Sequence, residues 1–349
     1  MSYLDATLAL VAIDSVSGNE SALAGVVERA LRANPHLEVE RIGDNVVART
    51  TGFHSTRLLV AGHLDTVPGD PTLATLEGDR LTGLGACDMK GSLAVMLELA
   101  SSQAPRSVEV TWVFYAREEI ARAQSGLLEV GELRPDLLQA DAAVLAEPTG
   151  GVVEAGCQGS LRVEVELHGL RAHTARPFTG LNALHRLGEL LSRVASYEPR
   201  EVVMDGVTYT EQLQAVGVEG GVAPNVVPDY ARCLLNHRVA PDRSRDQAES
   251  WLVDFLGEVL DDGDRVNVLD WAPSSPPALS NERLNSLVTL TRSPARGKLG
   301  WTDVATFREL GIAATNFGAG DPLLAHRSDE FITADELDHF ATVLNEWLS

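Results

Sequence analysis

From Leu58 the chain runs Leu-Leu-Val-Ala-Gly and then meets His63-Leu64-Asp65; several other short apolar runs end in the same abrupt way. Val110 to Ala116 leads into Glu118-Glu119, Ala142 to Ala146 into Glu147, and Ile312 to Phe317 towards His326, while Arg80-Leu81-Thr82 precedes Gly85-Ala86-Cys87-Asp88. Branched apolar runs bounded by Gly and Pro predict buried strands. Residues 3–33 carry helical periodicity broken at Ser15-Val16-Ser17-Gly18, and Met89 to Ser101 is rich in helix formers. Strand and helix signals alternate to about residue 155, which predicts a parallel or mixed sheet covered by helices, an α/β fold.

From about residue 158 the rhythm changes. Leu161 to Leu167 alternates strictly, as a half-exposed strand does. A helix is expected over Leu181 to Ala195, with Leu184, Leu187, Leu190, Leu191 and Val194 on its apolar face. Strands follow around Glu211–Val218 and Tyr230–Val239, then a helix over Ser244–Leu260 and a strand at Arg265–Leu269. The order β-α-β-β-α-β is that of a ferredoxin-like unit. Trp271 to Ser280, rich in Pro and Ser, reads as a linker back to the first domain. The expected organisation is therefore a first domain built from 1–157 and 271–349, with an α+β domain inserted at 158–270.

Composition narrows the partners. The 349 residues carry a formal net charge of −22, which argues against nucleic acid or an anionic membrane. An anionic substrate would need local arginines. The three cysteines, Cys87, Cys157 and Cys233, include no CxxC and read as reduced thiols. The start Met1-Ser2-Tyr3-Leu4-Asp5 has no basic region of a secretory signal, and no apolar run approaches the ~20 residues of a membrane span. The expectation is a cytoplasmic protein.

In open α/β sheets ligand chemistry collects at the carboxyl ends of the strands. Each candidate there has an ordinary reading when taken alone: His63-Leu64-Asp65 as chance, Glu118-Glu119 as a solvated loop, Asp88 as a helix cap, His326 as surface. Together they form the donor set of a hydrolytic metal site, because two ions need about four terminal ligands and one bridging carboxylate. His63, Asp88, Glu119, Glu147 and His326 fit that count, with Glu118 left over as a base.

The segments His63-Leu64-Asp65, Gly85 to Gly91, Glu118-Glu119, Ala146-Glu147-Pro148-Thr149 and Ala325-His326 resemble the motifs of the M20 family of di-zinc amidohydrolases. The resemblance covers nearly the whole chain. Within the family the chain is most similar to the actinobacterial desuccinylases that act on N-succinyl-LL-2,6-diaminopimelate, through Glu154 to Gly159, Arg171 to Arg176, Gly300 to Val304 and Asn316 to Pro322. Other deacylases of the family, acting on N-acetylornithine, N-acetyl-lysine or acyl amino acids, share the metal motifs. A non-catalytic binding protein on the same fold is the reading of another class.

The resemblance implies a zinc-exopeptidase-like catalytic domain and an inserted ferredoxin-like dimerisation (lid) domain. It implies two Zn2+ per subunit, with Co2+ able to substitute, and Asp88 bridging them. His63 and Glu147 would complete one site, and Glu119 and His326 the other. Asp65 would orient His63 through its second nitrogen, Glu118 would be the general base, and the Asp88-Met89 peptide would be cis. His173 would reach a partner subunit's active site and steady an oxyanion, which implies a homodimer through the inserted domain. Asn225, Arg238, Arg176, Gly300 and Thr302 would contact a small N-acyl amino acid substrate. Proteobacterial desuccinylases carry an arginine pair around the positions of Cys157 and Gln158; this chain has neither arginine, so the substrate carboxylate must be held differently.

Overall fold

In the computed structural model, which describes residues 2–349, eight strands join one mixed sheet. They are β1 (Leu37–Ile42), β2 (Asn45–Thr50), β3 (Arg57–His63), β4 (Glu109–Tyr115), β5 (Ala142–Leu145), β6 (Glu154–Ala155), β7 (Arg296–Gly297) and β8 (Ala314–Asn316). Their spatial order is β1-β2-β4-β3-β5-β8-β6-β7. β3 lies between β4 and β5 and is parallel to both.

The unbroken apolar runs follow from burial on both faces. Successive side chains of a strand point to opposite sides. Leu58 and Val60 of β3 join Trp112 and Phe114 of β4 in one core, and Leu59 and Ala61 join Val113 and Tyr115 in another. Besides the single turn Pro135–Leu138, the helices packed on the sheet are α1 (Tyr3–Val11), α2 (Ser21–Arg32), α3 (Gly91–Ser101), α4 (Gly126–Leu133), α5 (Glu282–Thr291), α6 (Val304–Glu309) and α7 (Ala334–Trp347). α1, α2, α3, α5 and α7 feed the first core, and α4 and α6 the second. Capping boxes fix the starts of α1 (Ser2 with Asp5) and α7 (Thr333 with Glu336). α3 lies against β3 so closely that a Cβ on Gly62 would fall 2.6 Å from Met89 Cε and 2.8 Å from Leu93 Cδ2.

The chain divides into two units. One comprises Met1–Gly156, Pro277–Gly297 and Thr302–Ser349, and the other Cys157–Pro276 with Lys298–Trp301. The second unit holds a four-stranded antiparallel sheet in the order Gln212–Gly220, Tyr230–Val239, Gly159–His168, Arg265–Ala272. Helices Ala183–Ala195 and Arg245–Leu256 bury Leu187, Leu190, Leu252 and Leu256 with Leu161, Val163, Val165 and Leu167. This is the strand and helix order of a ferredoxin-like unit.

Three details depart from the sequence reading. Arg80–Thr82 pairs with Thr75–Glu77 and Phe331–Thr333 in a separate small sheet, so Asp88 leaves no strand of the main sheet. A hairpin of Glu201–Met204 and Val207–Thr210 precedes the second long strand, turning at Asp205 and Gly206, both at positive φ. That dipeptide is the strong short-range hairpin signal and marks the element in the sequence. The strand from Arg265 runs on to Ala272 past an irregularity after Val268, so it takes in the first residues assigned to the linker. Among the described residues no helix is long and apolar enough to cross a membrane.

Candidate metal centre

Because β4, β3 and β5 run side by side in the same direction, their carboxyl ends open on one edge. His63 is the last residue of β3, in register with Tyr115 of β4. Glu118 and Glu119 follow β4, and Glu147 follows β5. Asp88 arrives from the irregular turn Ala86–Lys90, which contains a cis Asp88-Met89 peptide and leads into α3. His326 comes from a loop beyond β8 and takes left-handed backbone (φ 65°).

His63, Asp88 and Glu119 present ligand atoms within 4.8 Å of one another. Asp88 Oδ1 is 3.1 Å from His63 Nε2, and Asp88 Oδ2 is 3.6 Å from His326 Nε2. His326 Nε2 also lies 2.8 Å from Glu119 Oε1. The Asp88 carboxylate thus turns one oxygen to each imidazole.

The other face of His63 is held by the main chain as much as by a carboxylate. Nδ1 is 3.0 Å from the Asp65 carbonyl oxygen and 3.6 Å from Asp65 Oδ1. The Asp65 carboxylate instead accepts the amides of Glu118 and Glu119, each at 3.0 Å, and the Ser17 hydroxyl at 2.7 Å. One acid therefore fixes both the orientation of His63 and the turn that carries the two glutamates.

The electrostatics call for a cation. Burial opposes charge on His63, yet hydrogen bonding to Asp65 and Asp88, with the charge of Glu147, holds its proton well above the usual range. Burial pushes the Glu118 carboxyl well up, and Glu147, Glu119 and Asp303 push the same way against His63. Hydrogen bonding to Glu119 raises His326 to about 9 despite partial burial. His63, Glu118 and His326 hold their protons more tightly than usual because carboxylates crowd them. The nitrogen and oxygen donors suit a borderline divalent ion, and a cation between Asp88 and the two imidazoles would take the place of those protons.

Glu330 is a participant that the sequence reading does not single out. It is fully buried, and its Oε1 accepts the amides of Cys87 at 2.7 Å and Asp88 at 2.8 Å. Its only sequence signal is its place four residues after His326. Cys87 is buried, and its Sγ faces the Asp321 carbonyl at 3.4 Å, apart from the His63, Asp88 and Glu119 cluster.

The remaining candidates lie in the second unit, with one exception. His173 and Val226 pair in a short antiparallel bridge that ties the His173 and Asn225 loops together. The Ala175 amide donates to His173 Nδ1 at 3.0 Å, which leaves Nε2 as the proton-bearing nitrogen of the neutral ring. Asn225 and Arg176 are exposed, and the Arg176 amide donates to the His173 carbonyl at 2.7 Å. The guanidinium of half-buried Arg238 makes no hydrogen bond or ion pair among the described residues, while its backbone is paired in the sheet. Gly300 is exposed. Thr302 belongs to the first unit, is buried, and donates its hydroxyl to Asn316 Oδ1 at 2.8 Å.

The chain is 45% identical over 348 residues to the Mycobacterium tuberculosis protein named "Putative succinyl-diaminopimelate desuccinylase DapE", covering 99% of this chain and 97% of that one. It is 42% identical to the succinyl-diaminopimelate desuccinylase of Corynebacterium glutamicum, covering 98% and 95%. A crystal structure of a Staphylococcus aureus tripeptidase has the same fold, with a TM-score of 0.82, 22% identity and coverage of 99% and 97%. The model of peptidase family M20/M25/M40 matches residues 59–349, so the chain belongs to that family.

Proposed function

We propose that this chain is a metal-dependent amidohydrolase that converts N-succinyl-LL-2,6-diaminopimelate and water to succinate and LL-2,6-diaminopimelate. The substrate assignment is supported by the near full-length similarity to desuccinylases. The single observation that carries the chemistry is Asp88, with one oxygen towards His63 and the other towards His326.

His63, Asp88 and Glu147 would hold one divalent ion, and Asp88, Glu119 and His326 a second; zinc is the assigned metal, with cobalt as a substitute. Such a pair supplies Lewis acidity that acidifies a water and polarises a carbonyl. Glu118 takes a proton from the attacking water as the new C–O bond forms. It then passes that proton to the departing amine nitrogen as the amide C–N bond breaks. Asp65 holds Glu118 and Glu119 by their amides throughout. His173 is assigned the oxyanion contact, made across a homodimer of the inserted domains. Asn225, Arg238 and Arg176, with Gly300 and Thr302, are assigned to substrate. A cytoplasmic setting suits a biosynthetic hydrolase of this kind.

A 28% identical acetylornithine deacetylase of Myxococcus xanthus supports deacetylation as the second reading. Comparing kcat/KM on N-succinyl-diaminopimelate, N-acetylornithine and N-acetyl-lysine at controlled zinc decides between them. The succinyl substrate should be preferred; preference for either acetyl substrate overturns the substrate assignment and leaves the family intact.

A further inference from the structure

Beyond β4 the backbone turns sharply through Arg117, a non-glycine residue in the left-handed region (φ 62°). Such a conformation is strained for a side chain of this size and persists only where the surroundings over-determine it. Here the determinants are visible. Four consecutive amides are each bonded to a side-chain oxygen: Ala116 N–H to Asn45 Oδ1 at 2.9 Å, Arg117 N–H to Glu20 Oε1 at 3.0 Å, and Glu118 and Glu119 N–H to the two oxygens of Asp65, each at 3.0 Å. No strand partner remains for these amides once the sheet has ended, so side chains from three separate segments replace it.

Asn45 opens strand β2 and Asp65 lies two residues beyond the end of β3, places the sheet already sets. Glu20 does not. It stands just before α2 and is fully buried, and its Oε1 also accepts the Gly18 amide at 2.9 Å. Its Oε2 has no hydrogen-bond partner among the described residues. A buried carboxylate is costly unless its bonds repay it. Both bonds that Glu20 receives are from main-chain amides, one in its own loop and one at the residue before Glu118.

We propose that Glu20 is a positioning residue for the catalytic glutamate: it clamps the Arg117 amide, locks the left-handed turn, and so fixes the direction in which Glu118 leaves the backbone. The clamp ties the Gly18–Glu20 loop to the end of β4 without touching metal or substrate. The inference rests on Glu118 being the general base. The acceptor oxygen does the holding, so an amide oxygen at the same place should serve.

The test compares Glu20→Ala and Glu20→Gln in the metal-loaded full chain, by steady-state kinetics, metal content and hydrogen exchange of the 116–119 amides. Removing the clamp should lower kcat by about 10²-fold, the scale of a small misplacement of a reacting group, with KM and metal content near wild type. Exchange of the Arg117 amide should accelerate in Glu20→Ala, and Glu20→Gln should restore both slow exchange and most of kcat. The proposal is overturned if Glu20→Ala keeps wild-type kcat, if its loss appears in KM or metal content instead, or if Glu20→Gln is as impaired as Glu20→Ala. An inactive wild-type protein would sink the hydrolase reading instead, and the exchange rates would still show whether the clamp exists.

Discussion

The Glu330 carboxylate accepts the main-chain amide of Asp88 at 2.8 Å, and the same oxygen takes the Cys87 amide at 2.7 Å. Burial pushes the Glu330 carboxyl up to about 7; the amide bonds oppose that shift, and the nearby Asp88 charge adds to it. Asp88 must face two imidazoles at once, and it comes from an irregular turn rather than a strand, so its backbone needs an external hold. Glu330→Ala should weaken metal binding by about 10–100-fold, as loss of a residue that orients a metal ligand does. Competition with a chelator at fixed pH measures this. Wild-type affinity in that variant would show that the turn holds Asp88 unaided.

Glu118 and Asp88 should separate cleanly. Glu118→Gln keeps the size of the side chain and loses the base, so kcat should fall by about 10²–10⁴-fold with metal content unchanged. Asp88→Ala removes the carboxylate that faces both His63 and His326, so both metal equivalents should be lost. Metal analysis beside single-turnover rates checks both. A Glu118→Gln variant with near wild-type turnover would end the general-base assignment.

Sequence pattern carries the main sheet well, because strands buried on both faces leave unbroken runs such as Leu58–Ala61 and Val110–Ala116. The donor set is legible for the same reason: His63, Glu118, Glu119 and Glu147 follow directly on those runs. Asp88 and His326 are legible as residue types but not by place, since one follows a small separate sheet and the other a long loop. Glu20 carries no signal in the sequence, and Glu330 only its closeness to His326. Their task is to accept main-chain amides, and a glutamate doing so has the same neighbours in sequence as one facing solvent. Only the fold shows which amides lack a strand partner.

The inserted unit has its own acid-sensitive group. Burial would raise the pKa of Glu211, but hydrogen bonds from Arg200 and the Ala240 amide, with the Arg243 charge, bring it down to about 2. His237 stands 3.8 Å away, beyond hydrogen-bond reach, so the arginines and the amide are the causes that count. The folded value lies below the ordinary 4.5, so the stabilisation is present above about pH 4.5 and is lost as the pH falls towards 2. Urea unfolding should show Glu211→Gln destabilised at pH 7, with its gap to wild type narrowing between about pH 4.5 and pH 3. A gap that stays constant over that range would place the stabilisation elsewhere.

Arg238 tests how the substrate carboxylate is held. It is half-buried on the strand Tyr230–Val239, and it has no acceptor among the described residues. Burial lowers its pKa, and the neighbouring charge of Arg162 adds to that effect. A guanidinium left in this state gains most from an incoming carboxylate, which it can grip with two parallel N–H bonds. Arg238→Ala should therefore raise KM for N-succinyl-diaminopimelate by about 10–100-fold, the scale of a lost charged hydrogen bond, while kcat changes only a few-fold. Arg238→Lys should recover part of the loss, since it returns the charge without the fork. Repeating the comparison with N-acetyl-diaminopimelate locates the contact. If the guanidinium grips the succinyl carboxylate, wild type and Arg238→Ala should bind that substrate alike. A penalty that persists on the acetyl substrate would move the contact to an α-carboxylate of diaminopimelate.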